Sequence, residues 1–352
     1  MENDRSIGQR AGITSPAVIT AYRVVTVSVV FALSTLACIL LSLHIGSYPI
    51  TLTDMLALFS SVELDTTDPM HAVFFEIRIP RVITALLVGG GLAAAGVVFQ
   101  VLLRNVLADP YILGVSSGAA VGALIAIALG LVSISVILQP ALAFFTALLV
   151  VAVVYRLGLR GALESNTLIL SGVMIGAFLS AIILGMVSTM DRPVRNALFW
   201  LVGYLGGTTS GEVAILLPGV VLLFLFLYLL SGRMNILALG VQSAMHLGVD
   251  VKRLQALLYI LASLLTALVV SFSGVIGFIG LLVPHVARRL FGPDHRLLLP
   301  VSFFLGANFL IISDLIARSI ITPNELPVGA VTAALGAPLF IYILRRKTTR
   351  YT

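Results

Sequence analysis

An all-α protein threaded repeatedly through a membrane is the fold class the sequence predicts, and three observations predict it. Hydrophobic residues make up 59% of the 352 positions and charged residues 10%, against about 25% charged in a soluble domain. Apolar windows long enough to cross a bilayer recur along the chain, whose mean hydropathy is +1.13. Lys and Arg gather at the ends of those windows rather than in one patch. Lipid offers no partner for an unpaired backbone group, so the windows must be helices. The net charge of +6, spread in this way, is no argument for nucleic acid. A single cysteine, Cys38, excludes an intrachain disulfide and a four-cysteine metal site.

About ten spans are expected, near 22–43, 80–102, 115–133, 138–157, 165–188, 213–231, 255–274, 276–290, 298–317 and 326–344. The first apolar run has no small-residue cleavage site close behind it, so it reads as a retained span. An even count puts both termini on one side. Of the 21 Lys and Arg, the far side then holds Arg78, Arg81, Arg192, Arg195 and Arg318, and the terminal side holds all the others. That asymmetry makes both termini cytoplasmic in a multi-pass membrane protein. The chain divides into an N-terminal segment (1–21), one membrane domain (22–347) and a short tail (348–352).

The first outer segment, about 44–79, is acidic until it turns basic around Arg78 and Arg81. Those two lie three apart and so point roughly the same way, either toward lipid phosphates or outward. Pro80 is suited to start the second span. That span carries Gly89, Gly90, Gly91, then Ala93, Ala94, Ala95 and Gly96. So small a tract allows close approach of another helix. Gln100 near its inner end needs a protein partner or a water path.

The inner turn 103–122 has Pro110 as a helix breaker and Gly114, Ser116, Ser117 and Gly118 at the next span's start. It lacks the glycine spacing and Lys-Ser/Thr of a nucleotide loop. Glu164, Ser165, Asn166 and Thr167 open the fifth span, in which Ser171, Gly172, Gly176 and Ser180 recur at helical spacing. Such a stripe either packs a neighbour or lines a passage. Residues 191–212 are too charged for a span and predict a short outer helix closed by Gly206 and Gly207, with Trp200 and Tyr204 at the interface.

The stretch 235–253 sits between two apolar blocks and mixes Leu239, Met245 and Leu247 with Gln242, Ser243, His246 and Asp250. Gly240 and Gly248 are placed as caps or turns. This predicts a short amphipathic helix at about 236–250 on the membrane surface, either docking a partner or lying on headgroups. Farther on, Gly274, Gly277 and Gly280 with Pro284 predict an interrupted membrane helix. His285 and His295, ten apart among basic residues, favour a polar network over a metal site. Asp314 and Arg318 are four apart and can pair, or Arg318 can join Arg78 and Arg81 in an outer basic ring.

These motifs resemble the FecCD family of importer permeases, the membrane subunits of ABC systems for iron–siderophores, haem and cobalamin. The likeness covers about 75–346. It rests on RIPR at 78–81, QVLLRNVLADPYILGVSSGA at 100–119, ALGVQSAMHLG at 238–248, GVIGFIGLLVPHVAR at 274–288, GPDHRLLLP at 292–300, DLIAR at 314–318 and ELPVGAVTAALGAPLF at 325–340. Val106 stands where the family commonly has proline. The resemblance implies ten spans per subunit and a dimer of permeases around one pathway. It also implies two separate ATPase chains and an extracytoplasmic binding protein. Leu239, Gly240, Ala244, Leu247 and Gly248 would form the ATPase-coupling helix. Arg78, Arg81 and Arg318 would meet acidic residues of the binding protein. Ser165, Asn166, Ser171, Gly172, Gly176 and Ser180 would line the path and its inner gate. No bound cofactor or catalytic residue is expected in this chain, with ATP and Mg on the partner ATPase. The expected cargo is an iron–siderophore, with haem and cobalamin as alternatives. An ion-coupled carrier would want a carboxylate pair or cation cage deep in the spans, and Asp314 and Glu325 lie toward an end.

Overall fold

The computed structural model of the chain describes residues 20–46, 48–60, 69–160, 164–190, 194–321 and 324–348. Most of the N-terminal segment, the tail beyond 348 and Arg192 lie outside the described residues. In chain order, α1 (Ala21–His44) and the short α2 (Leu52–Ser60) lead to α3 (Pro69–Leu102). A 3-10 turn at Pro110–Leu113 precedes α4 (Val115–Ala128), followed by α5 (Leu138–Arg160), α6 (Ser165–Ser188) and α7 (Val194–Val202). Next come α8 (Ser210–Leu229), α9 (Ser231–Ala238), α10 (Val241–His246) and α11 (Val251–Ser273). The chain closes with α12 (Ile279–Phe291), α13 (His295–Ser319) and α14 (Val328–Thr348).

The centre of the bundle is α3, and the reason is its small tract. It packs against α13, α11, α12 and α8. A Cβ on Gly89 would stand 2.3 Å from the Gly306 carbonyl oxygen of α13. One on Gly96 would stand 2.0 Å from the Gly280 oxygen of α12. Backbones that close leave no room even for alanine, so the glycines set the helix spacing. The Gln100 amide donates to Leu281 O at 3.3 Å.

Two local expectations change. The helix reaches back beyond Pro80 to Pro69 through a π-helical stretch at Ala72–Arg78, where Ile79 N–H bonds Phe74 O. Helix α7 ends at Gly203 (φ +85°), ahead of Gly206 and Gly207, and Trp200 is buried.

Seven described helices are long and apolar enough to cross a membrane: α1, α3, α5, α6, α8, α11 and α13. Ten were expected, and the shortfall has physical causes. The Pro110 turn packs on Gly172, the eighth residue of α6, about 10 Å along that helix at 1.5 Å per residue. The turn thus rises into the bundle, and α4 needs only 14 residues. From the opposite end, residues 274–278 break the chain between α11 and α12, with Gly274 at φ +69° and Phe278 at φ +70°. That leaves α12 with 13 residues. Pro284 lies inside α12, so the break is made by the Gly274 end of the motif. The third short helix is the apolar part of α14, Val328–Ile343.

Candidate functional site

Three regions carry the chemistry singled out in the sequence, and each differs from a bare reading of the motifs. The first is the end of the bundle where α1 stops and α3 starts. Arg78, Arg81 and Arg318 converge there, but they are buried, at 4%, 5% and 9% exposure. Arg81 grips Asp314 with Nε and Nη2, each at 2.9 Å, and reaches Glu325 with Nη1 at 2.9 Å. Arg318 donates to the carbonyl and hydroxyl of Ser42 and lies 3.9 Å from Asp314. Arg78 donates to the carbonyls of Leu43, His44 and Tyr48. It therefore satisfies orphan carbonyls at the end of α1.

The expected outward ring is thus an inward clamp joining α1, α3, α13 and the segment before α14. Its open part is a cavity of ≈ 190 Å³ lined by all three arginines, Glu325, Gly46 and Tyr48. Burial, with the Glu325 carboxylate beside it, raises the Tyr204 phenol above its ordinary range. A larger cavity of ≈ 760 Å³ is lined by Trp200, Phe199, Tyr204, Arg195, Glu212 and Gln139.

The second region is at the other end of the bundle. Two short helices, α9 and α10, stand where one was expected. Gly240 (φ +112°) opens α10 and Gly248 (φ +79°) follows it, with open space around both. Leu239, Met245 and Leu247 are exposed at 67%, 54% and 61%. Ala244 is fully buried in the core of the bundle, so it anchors the helix. Behind it, Asn235 of α9 donates to Asp294 Oδ1 at 2.8 Å, and its Oδ1 accepts from His295 N at 2.8 Å. His295 therefore belongs to a polar network that fastens α9 to α13. No group of three or more His, Cys, Asp or Glu placed to hold a metal occurs among the described residues.

The third region is α6. Along its length only Leu168 and Gly172 are buried among the described residues. A Cβ on Gly172 would meet Ile112 O at 2.5 Å, and one on Gly176 would reach Ser117 Oγ at 3.7 Å. These two expected path residues face the Pro110 turn and α4 within the chain. Ser171 is half-buried, and Ser180, exposed, donates back to Gly176 O at 2.8 Å. Asn166 is exposed and Ser165 half-buried at the helix start. The open face is apolar: Leu170, Val173, Met174, Phe178 and Leu184 are each half or more exposed.

Sequence reasoning missed Tyr111. Its hydroxyl donates to Ile276 O at 3.0 Å and accepts from Ile276 N at 3.1 Å. The available signal was a tyrosine beside a helix-breaking proline in an otherwise apolar stretch. It also missed Ser42, Leu43 and Tyr48 as arginine partners, because backbone acceptors leave no mark in a sequence.

With this geometry in hand, comparison with known proteins is decisive. The sequence profile of the FecCD transport family matches residues 34–346. The chain belongs to the FecCD transport family. It is 43% identical over 297 residues to the cobalamin import system permease protein BtuC of Halobacterium salinarum, covering 84% of this chain and 79% of that one. It is 38% identical over 270 residues to the Fe(3+)-citrate import system permease protein YfmE of Bacillus subtilis, covering 77% and 81%. The hemin transport system permease protein HmuU of Yersinia pestis is 37% identical over 288 residues, with 80% and 86% covered. A solved structure assigned as a metal-chelate type ABC transporter in an inward-facing conformation superposes with a TM-score of 0.81 at 32% identity, covering 91% of this chain and 99% of that one. At family level the protein is a metal-chelate ABC importer permease.

Proposed function

We propose that the chain is the translocating subunit of an ATP-driven importer, working as a pair of identical copies with two ATPase chains and an extracytoplasmic binding protein. The observation that carries this reading, beside family membership, is the glycine-bounded α10. It is anchored by Ala244 and leaves Leu239, Met245 and Leu247 bare, and bare apolar residues there ask for a protein groove. The Lys/Arg asymmetry makes that helix cytoplasmic, and ATP is cytoplasmic. Ten crossings follow if the Pro110 turn and the 274–278 break complete the paths of α4 and α12, and if α14 crosses despite its short apolar part.

The binding protein would seat an acidic side chain in the small arginine-lined cavity. There three guanidiniums face two carboxylates, Asp314 and Glu325, and one positive charge is left over. The second copy would cover the apolar face of α6, with the path between the two α6 helices.

The cargo we propose is an iron–siderophore. A path with small and apolar walls suits a bulky chelate and lacks the oxygen cage a bare ion needs. A second reading, cobalamin, is favoured by the 43% identity to a relative named for that cargo. Uptake of ferric siderophore, haem and cobalamin by the complex, each offered with its cognate binding protein, separates the readings. Accumulation of the siderophore supports the first, and accumulation of cobalamin or haem alone overturns it.

A further inference from the structure

The Pro110 turn joins parts of the fold that are otherwise apart. Asp109 shapes it, its carboxylate accepting from Tyr111 N at 2.8 Å, and Gly114 closes it in a left-handed conformation (φ +75°). On one side Ile112 and Leu113 press on Gly172 of α6. On the other side a Cβ on Gly280 would meet Pro110 Cδ at 2.5 Å. Between them the Tyr111 hydroxyl holds both backbone groups of Ile276.

Ile276 lies in the non-helical break, so neither its N–H nor its C=O has a helical partner. Ile276 is buried, and an unpaired backbone group there is costly. A phenol can donate once and accept as well, so one side chain satisfies both. The next residue back, Val275, donates to Trp200 O at 3.3 Å, and Tyr204 N donates to Ser273 O at 3.0 Å. The break is therefore also tied to α7 and the loop after it. A continuous series of contacts runs from the inner half of α6 through Ile112, Tyr111, Ile276 and Val275 to Trp200 at the outer end of the bundle.

We propose that Tyr111 is a positioning residue for transport, its hydroxyl coupling the inner half of α6 to the outer helix α7. The inner and outer openings of the path then cannot respond independently. The proposal rests on the importer reading above.

The test uses the reconstituted permease–ATPase complex with its binding protein and Cys38→Ser, carrying single cysteine reporters. Glu164→Cys, exposed at the start of α6, reports the inner end and Leu198→Cys the outer one. In the parent, both labelling rates change when ATP is added. In Tyr111→Phe, which keeps the ring and removes the hydroxyl, the inner reporter still responds. The outer reporter loses most of its ATP-dependent change, and ATP spent per chelate imported rises about tenfold.

A merely structural bond gives the control. Tyr259 OH donates to Val151 O at 3.0 Å between α11 and α5, away from this series, so Tyr259→Phe lowers melting temperature without uncoupling the reporters. Should Tyr111→Phe fail to fold, 3-fluorotyrosine at 111 keeps ring and hydroxyl and weakens the acceptor, and a partial uncoupling is expected. Reporters in either variant that respond together as in the parent, or that fail together in proportion to lost stability as in Tyr259→Phe, overturn the proposal. A parent with no ATP-dependent labelling or uptake overturns the importer reading, and the proposal with it.

Discussion

Arg81 shows how a charge changes meaning once its partners are known. Its guanidinium is buried and donates three hydrogen bonds to Asp314 at 2.9–3.1 Å and two to Glu325 at 2.9–3.0 Å. Removing one partner of such a pair leaves an uncompensated buried charge and costs about 3–5 kcal/mol. Arg81→Ala should therefore lower the thermal unfolding midpoint in detergent well beyond an ordinary surface substitution. The double variant Arg81→Met/Asp314→Leu should recover only part of the loss, because Glu325 and Arg318 each lose a partner with it. If Arg81→Ala unfolds like the parent, the clamp does not hold α3 to α13.

A similar argument applies to glycine. Gly96→Ala forces a Cβ to 2.0 Å from backbone, whereas Gly185 has nothing within 4 Å. Gly96→Ala should cost about 1–3 kcal/mol or more, read as lost folded yield from membranes. Gly185→Ala should match or slightly exceed the parent.

At the scale of the element, α10 and α6 make separable claims. Gly240 and Gly248 have open space around them but left-handed φ values. A bulky residue there is strained by about 1–2 kcal/mol without clashing. Gly240→Leu or Gly248→Leu should weaken capture of the ATPase and its stimulated turnover while the bundle's melting temperature stays near the parent's. Unchanged capture would remove the coupling role. For α6, cysteines at Leu170, Val173, Met174 and Phe178 should label from water in one nucleotide state, and one at the buried Leu168 should stay protected. A uniform lipid-like pattern would reject its place on the path.

What the sequence made legible at this scale is the local chemistry. The small tract of α3, the glycines around α10 and the glycine-rich break at 274–278 each follow from residue types at fixed spacing. The direction of Gly172 was not legible, because it depends on a turn about 60 positions earlier in the chain rising into the bundle. Nor was the burial of the three arginines: the carboxylates that hold Arg81 are over 200 positions distant, and Arg78 and Arg318 end on carbonyls near the end of α1. Helix spacing told which residues share a face and left open what covers that face.

For the whole molecule, the class was written in composition, and the count of crossings was blurred by the two interrupted segments that shorten α4 and α12. The claim everything serves is that ATP, hydrolysed on another chain, drives inward movement of a metal chelate through this one. The most direct measurement is uptake into proteoliposomes holding this chain and the ATPase, with binding protein and chelate outside. ATP sealed inside is compared with a proton or sodium gradient imposed without nucleotide. The account predicts accumulation only with ATP and binding protein together. Accumulation driven by an ion gradient alone, with the ATPase omitted, would contradict it.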